Sequence, residues 1–368
     1  MFKNFIYPVA TLSGAIIGVG IFSLPFITSQ VGVWTMAGYF LILGFFVLLI
    51  HYFYADVALA TPDFLRLPGY AKIYLGNWAK KLASLVLIFG SLGSLLAYLI
   101  VGGEFLQGLF SEFLGGNAFF YTILYFALGA LLILIGVKAI TKIEFWGLVL
   151  FFVALIFLFF KGLPLLKLEN LFVGSPNLKN FFLPFGPIIF SFWGATMVPE
   201  IEEMLMDSKK NLKKVVLASV LVSAVVYAFF IFFILGITGP KTTESALAGL
   251  VGFLGKEVLM FGFLFGFLTT FTSFIAIGLN LKHAFQYDFK MPQNLSWFLV
   301  CFLPLFLFLI GMKNFIGVIG FIGAVMLGIE GILILLMYKK IKPKGFLIYP
   351  LILMFLSGII YGIIYFFK

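Results

Sequence analysis

Apolar stretches long enough to cross a bilayer recur from one end of this chain to the other. A helix needs about 20 residues to span about 30 Å of hydrocarbon. Such stretches lie near 5–30, 36–60, 82–109, 118–137, 144–163, 181–204, 213–238, 256–281, 294–312, 315–338 and 346–367. Inside lipid no water serves the backbone amides, so a segment of this length crosses as helix. Hydrophobic residues make up 63% of the chain and charged ones 10%, a balance no water-facing globular surface tolerates. The expected fold is therefore an all-α membrane protein with 11 transmembrane helices. The first stretch exceeds the apolar core of a signal peptide and no A-x-A pattern follows it, so it is expected to be a retained span.

The formal net charge of +10 could suggest nucleic acid, but the distribution between loops gives a better account. Seventeen of the 24 basic residues fall on one side of the eleven-span layout, including Arg66, Lys72, Lys80, Lys81 and the runs Lys209–Lys214 and Lys339–Lys344. By the positive-inside rule that side is cytoplasmic. The expectation is an integral protein of the cytoplasmic membrane, N-terminus cytoplasmic and C-terminus extracytoplasmic, with the lipid bilayer and no nucleic acid as partner. Cys301 stands alone, so no intramolecular disulfide forms. Two histidines exclude a His-rich metal site, and no G-x-x-x-x-G-K-[ST] run occurs, which argues against ATP as energy source.

Spans one to five begin near 5, 36, 82, 118 and 144, and spans six to ten near 181, 213, 256, 294 and 315, an offset of about 175 residues. Five is odd, so a second five-helix unit must be inverted. This 5+5 inverted repeat assigns residues 1–180 to the first unit and 181–340 to the second. Residues 341–368 hold one extra C-terminal helix.

Both units interrupt their first span. Span one carries Gly14, Gly18 and Gly20, then Pro25; span six carries Ser191, Phe192, Trp193, Gly194 and then Pro199. Gly18 and Gly194 lie 176 positions apart, in step with the repeat. An unserved amide or carbonyl in hydrocarbon costs several kcal/mol, about 2–7 by transfer data, so such a break persists only where protein, water or ligand satisfies it. An amino acid is such a ligand. Its carboxylate suits the free amides and positive dipole end around Gly18, Val19 and Gly20. Its ammonium suits the carbonyls around Ile16 and from Ser191 to Trp193, and the glycines, Gly194 included, let a ligand approach the backbone. The competing account is close helix packing, since Gly14-x-x-x-Gly18 also fits a small-xxx-small seam. The side-chain wall of the pocket is expected from Tyr98, Phe192, Trp193 and Phe271.

Titratable groups inside a span are few and functional by default. Glu330 lies mid-span between Gly328 and Gly331, and Glu104 follows Gly102 and Gly103. Desolvation favours the neutral form of a carboxyl, the property a proton carrier requires; pairing with another helix, or reaching the surface, is the alternative. His51 and Asp56, near the end of span two, are expected at the interface. Glu200, Glu202, Glu203 and Asp207, beside Lys209–Lys214, are expected to form a solvated acidic face with salt bridges at the cytoplasmic end; spacing alone does not support a gating role.

Span one, as Gly14 to Pro25, resembles the G-x-x-x-G-x-G-[IF]-x-x-x-P pattern of the amino acid, polyamine and organocation superfamily. Span six, Phe190-Ser191-Phe192-x-Gly194 with Val198-Pro199, and span eight, Thr272-Ser273-Phe274-Ile275-Ala276-Ile277-Gly278-Leu279, are similar to the tyrosine and tryptophan permease branch. The resemblance implies a LeuT-like fold and an amino acid permease. It also implies that a sodium ion, if used, would sit between the carbonyls of Gly14 and Ile17 and the hydroxyls of Thr272 and Ser273. The alternative for these hydroxyls is a bond to a carbonyl of their own helix, and the branch itself is regarded as proton-driven.

The expected function is import of an amino acid, neutral and hydrophobic or aromatic, by symport with a proton or else sodium, with no other cofactor. The alternative cargo is another small organic solute such as a polyamine, which would call for pocket carboxylates. An enzyme would need a catalytic cluster and a channel a continuous polar path; neither is evident.

Overall fold

The computed structural model describes residues 2–136, 140–175, 180–287, 289–343 and 347–366. Among them the secondary structure is helical throughout, with no strand. Helix α1 (Tyr7–Ile16) is followed by a 3-10 turn, Val19–Ser23, and α2 (Leu24–Val31). Helix α3 spans Val33–Leu59, α4 Leu67–Leu75, α5 Asn77–Leu114, α6 Ala118–Ile135 and α7 Ile140–Gly162. Two short helices follow, α8 (Phe185–Phe192) and α9 (Val198–Met204), then α10 (Leu212–Thr238), the single turn α11 (Val251–Leu254) and α12 (Lys256–Tyr287). The chain closes with α13 (Gln293–Leu309), α14 (Phe315–Phe321), α15 (Leu327–Ile341) and α16 (Ile348–Phe366).

Seven helices among the described residues are long and apolar enough to cross a membrane, and α1 with α2 forms a further, bent candidate. Their outer faces carry large apolar side chains such as Trp34, Leu41, Phe45, Val225 and Leu353, each more than half exposed, as lipid contact requires. Helices α14 and α15 run as one span through a π-helical turn, Ile322–Met326. There Gly186 of α8 meets the backbone of Gly320 and Gly323, a close approach that a Cβ would block.

Packing divides the helices into two groups. Helices α1, α2, α3, α8 and α10 contact one another, and α5 packs with α6, α12 and α13. Helix α7 lies against α12 and α1, and α15 bridges α3, α5 and α16. Lys282 is buried on α12 and donates to the carbonyls of Ile133 (2.8 Å) and Leu134 (3.3 Å). It thereby serves the otherwise bare C-terminal acceptors of α6.

Candidate functional site

The two interrupted segments meet at the centre of the helix packing. Helix α1 stops because Ile17 takes ψ 73° and Gly18 is extended, and the chain resumes at an angle of 49°. Helix α8 stops at Trp193, which has ψ 110°. A 3-10 turn, Ala195–Met197, then leads into α9, whose first turn holds Pro199, a residue that needs no amide partner there. A Cβ on Gly18 would lie 2.6 Å from the Tyr98 hydroxyl, and one on Gly20 would run into Ser191. These glycines are therefore required by closeness of approach.

Two side chains absent from the sequence-based site serve the breaks. The Tyr227 hydroxyl of α10 donates to the carbonyls of both Ile16 (2.7 Å) and Ser191 (2.6 Å), so one proton is shared between the ends of α1 and α8. His51 of α3 is fully buried rather than interfacial, because α3 continues for two more turns beyond it. Its Nδ1 lies 2.6 Å from the Val47 carbonyl, and its Nε2 accepts from the Gly194 amide at 2.9 Å. A mid-span tyrosine and one of only two histidines were the available signals, since buried polar groups in apolar helices need a partner.

A cavity of about 220 Å³ adjoins both breaks. Of the sequence-derived residues, Ile16, Gly18, Gly20, Tyr98, Ser191, Trp193, Ser273 and Glu330 line it. Ser91, Ser94, Thr196 and Asn280 add hydroxyls and an amide that the sequence did not single out. The lining follows α5 from Tyr98 back to Leu87 and α12 from Ser273 on to Asn280. The cavity thus extends toward the face that carries the N-terminus and the basic loops. Ala15, Thr196 and Asn280 are exposed within it. Glu330 is 3% exposed, and its Oε1 and the indole Nε1 of Trp193 have no hydrogen-bond partner among the described residues.

Other expected site residues lie elsewhere. The Phe192 ring turns away from the cavity into Phe40 and Tyr227, with centroids 4.9 and 5.2 Å apart. Phe271 stacks on Phe267 and meets Tyr125, toward α6. The Val19 amide is directed at the Tyr98 hydroxyl, 3.5 Å away, and the Gly194 amide is taken by His51. Of the suggested sodium ligands only Ser273 lines the cavity; Gly14 and Ile17 do not, and Thr272 donates to Thr269 of its own helix at 3.1 Å. Glu104 accepts from Ser245 (2.8 Å), in the loop between α10 and α11, and is not part of the cavity wall. In the same loop Glu244 is half buried, and lost solvation pushes its carboxyl above the usual range. No group of three or more metal-binding side chains occurs among the described residues.

On the far side of the breaks Phe22, Phe105, Phe230 and Phe263 close the centre. Phe22 meets Phe105 at 4.8 Å and Phe230 at 5.9 Å, and Phe105 meets Phe263 at 6.2 Å. At the basic face Arg66 pairs with Glu200 (2.6 Å) and Glu203 (3.3 Å), and Lys209 with Glu202 (2.8 Å). The expected salt bridges of this acidic stretch are present, but Glu202 is buried rather than solvated; the side chain of Asp207 lies outside the described residues. Asp56 binds Lys213 (2.6 Å) and Lys342 (3.3 Å), and its carboxylate raises the Lys342 ammonium above the usual lysine range.

Residues 1–360 match the tryptophan/tyrosine permease family. The chain belongs to that family. Membership makes it an integral membrane transport protein and not an enzyme. Among curated proteins no sequence matches. Two solved structures share the permease's LeuT fold. MhsT, in complex with L-phenylalanine, is 16% identical with 98% of each chain covered and a TM-score of 0.65. Mhp1, a nucleobase-cation-symport-1 family transporter in a closed conformation with bromovinylhydantoin bound, is 13% identical over 97% of this chain and 90% of its own, with a TM-score of 0.66.

Proposed function

We propose that this permease imports a neutral hydrophobic or aromatic amino acid by proton symport through alternating access. The observation that carries this is one cavity lined by both interrupted helices and by the buried carboxyl of Glu330. The Gly20 amide takes the carboxylate, with the Tyr98 hydroxyl, which holds the Val19 amide, beside it; the Gly18 amide is already bonded to the Ile16 carbonyl at 2.8 Å. The Ser191 carbonyl, which holds only a share of the Tyr227 proton, takes the ammonium, whereas the Ile16 carbonyl already accepts from Tyr227 and from the Gly18 amide at 2.8 Å. Trp193 and the hydroxyls of Ser91 and Ser94 face the side chain.

The bent pair α1 and α2, the broken pair α8 and α9, and helices α3, α5, α6, α7, α10, α12, α13, α14 with α15, and α16 make 11 crossings, five and five inverted plus the last. The group containing α1, α3, α8 and α10 rocks against α5, α6, α12 and α13 around the fixed site. The cavity extends to the basic face, so with that face cytoplasmic the molecule is inward-facing. Glu330 takes up a proton when the cavity faces outward and releases it here, biasing the equilibrium between the two states.

Uptake of labelled amino acids into proteoliposomes under separately imposed proton and sodium gradients tests the proposal. Accumulation driven by a proton gradient alone is expected. Accumulation driven only by sodium would replace Glu330 with the site at Gly14, Ile17, Thr272 and Ser273, and single-channel currents would overturn the transporter mechanism.

A further inference from the structure

We infer that His51 is a positioning residue that holds the break between α8 and α9 open; this rests on the transport reading above. The inference starts from an accounting of hydrogens. A carbonyl cannot donate, so Nδ1, 2.6 Å from the Val47 oxygen, carries the ring proton. An amide cannot accept, so Nε2, 2.9 Å from the Gly194 nitrogen, offers its lone pair. The two contacts together require neutral imidazole in the Nδ1–H form, since imidazolium has no lone pair left for Gly194.

The geometry leaves little room for another arrangement. His51 is fully buried, its ring meets Trp193 edge to face at 6.0 Å, and a Cβ on Gly194 would fall 2.6 Å from Ile16. With α8 stopped at Phe192, the Gly194 amide has left the helical ladder and would otherwise be a bare donor in the membrane interior. His51 supplies the acceptor from a neighbouring helix, so the break persists without cargo. It also withdraws the Gly194 amide from any ligand.

Three substitutions and one spectrum test this. The terminal amide oxygen of His51→Gln reaches the Nε2 position, that of His51→Asn reaches only the Nδ1 position, and His51→Leu keeps bulk without an acceptor. The Gln variant should transport with a KM within about threefold of the wild type, whereas Asn and Leu should raise KM about tenfold or more with a smaller change in maximal rate, as loss of one buried backbone hydrogen bond implies. Wild-type KM in the Leu and Asn variants, or a Gln variant no better than Leu, overturns the inference.

The spectrum is read without cargo, so it does not depend on transport. The chain holds only His51 and His283. In 15N-histidine-labelled full-length protein, with His283→Gln used for assignment, His51 should show one protonated nitrogen at Nδ1 and one accepting nitrogen at Nε2. The Nε2–H tautomer, or imidazolium at neutral pH, overturns it even if the Leu variant fails to insert.

Discussion

The Tyr227 hydroxyl lies 2.6 Å from the carbonyl oxygen of Ser191, and the same oxygen atom reaches the Ile16 carbonyl at 2.7 Å. A single side chain thus ties the end of α1 to the end of α8. Tyr227→Phe removes that tie and leaves the ring packing against Phe40 and Phe192 in place. Loss of a buried hydrogen bond is worth about 1–3 kcal/mol, so the KM for uptake should rise about tenfold while insertion is unchanged. Initial-rate uptake checks it; an unaltered KM would separate Tyr227 from cargo binding.

Gly20→Ala should abolish uptake, because its Cβ would meet the Ser191 backbone at 3.0 Å as well as the Ser191 hydroxyl. Gly18→Leu and Gly194→Leu should do the same with insertion intact, as larger versions of the same clash. The matched control is Gly38→Ala in α3, where a Cβ meets nothing within 4 Å. Normal uptake by the Gly18 and Gly194 variants would refute the pocket assignment.

Glu330→Gln keeps the shape of the carboxyl and removes its titration. Accumulation driven by a proton gradient should vanish, whereas exchange of internal for external cargo should survive. Counterflow assays in the same vesicles separate the two. Loss of both would assign Glu330 to structure or to cargo contact.

Asp56→Asn should lower thermal stability by about 0.5–1 kcal/mol, since it breaks the contacts to Lys213 and Lys342. The difference from wild type should shrink at high salt. Because the native Lys342 ammonium is raised, its contribution is complete below the ordinary lysine value of about 10.4 and fades as pH rises through the native value. Melting curves of both proteins against pH and salt give the answer, and a salt-independent difference would point to packing instead.

The broken segments were legible because backbone chemistry leaves a mark in residue type. Glycine where chains nearly touch, and proline where a helix restarts, single out Gly18, Gly20, Gly194 and Pro199. Direction was not legible. Phe192 and Trp193 are neighbours, but the helix ends between them, so one ring turns into α3 and α10 and the other into the cavity. His51 was misplaced for a related reason: position along a span estimates depth, but not that the amide of Gly194 would need an acceptor there. Asn280 lacked any local pattern, and Tyr227, a tyrosine in mid-span, showed a need for a partner but not which one; only the packing of distant helices brings it to Ile16 and Ser191.

The four-ring seal formed by Phe22, Phe105, Phe230 and Phe263 comes from separate helices and contains no hydrogen-bonding atom. A stopper of that kind offers no file of waters along which protons could hop. It should insulate the membrane while the cargo chamber stands open on the opposite side, so an idle copy of this permease leaves the energising gradient intact.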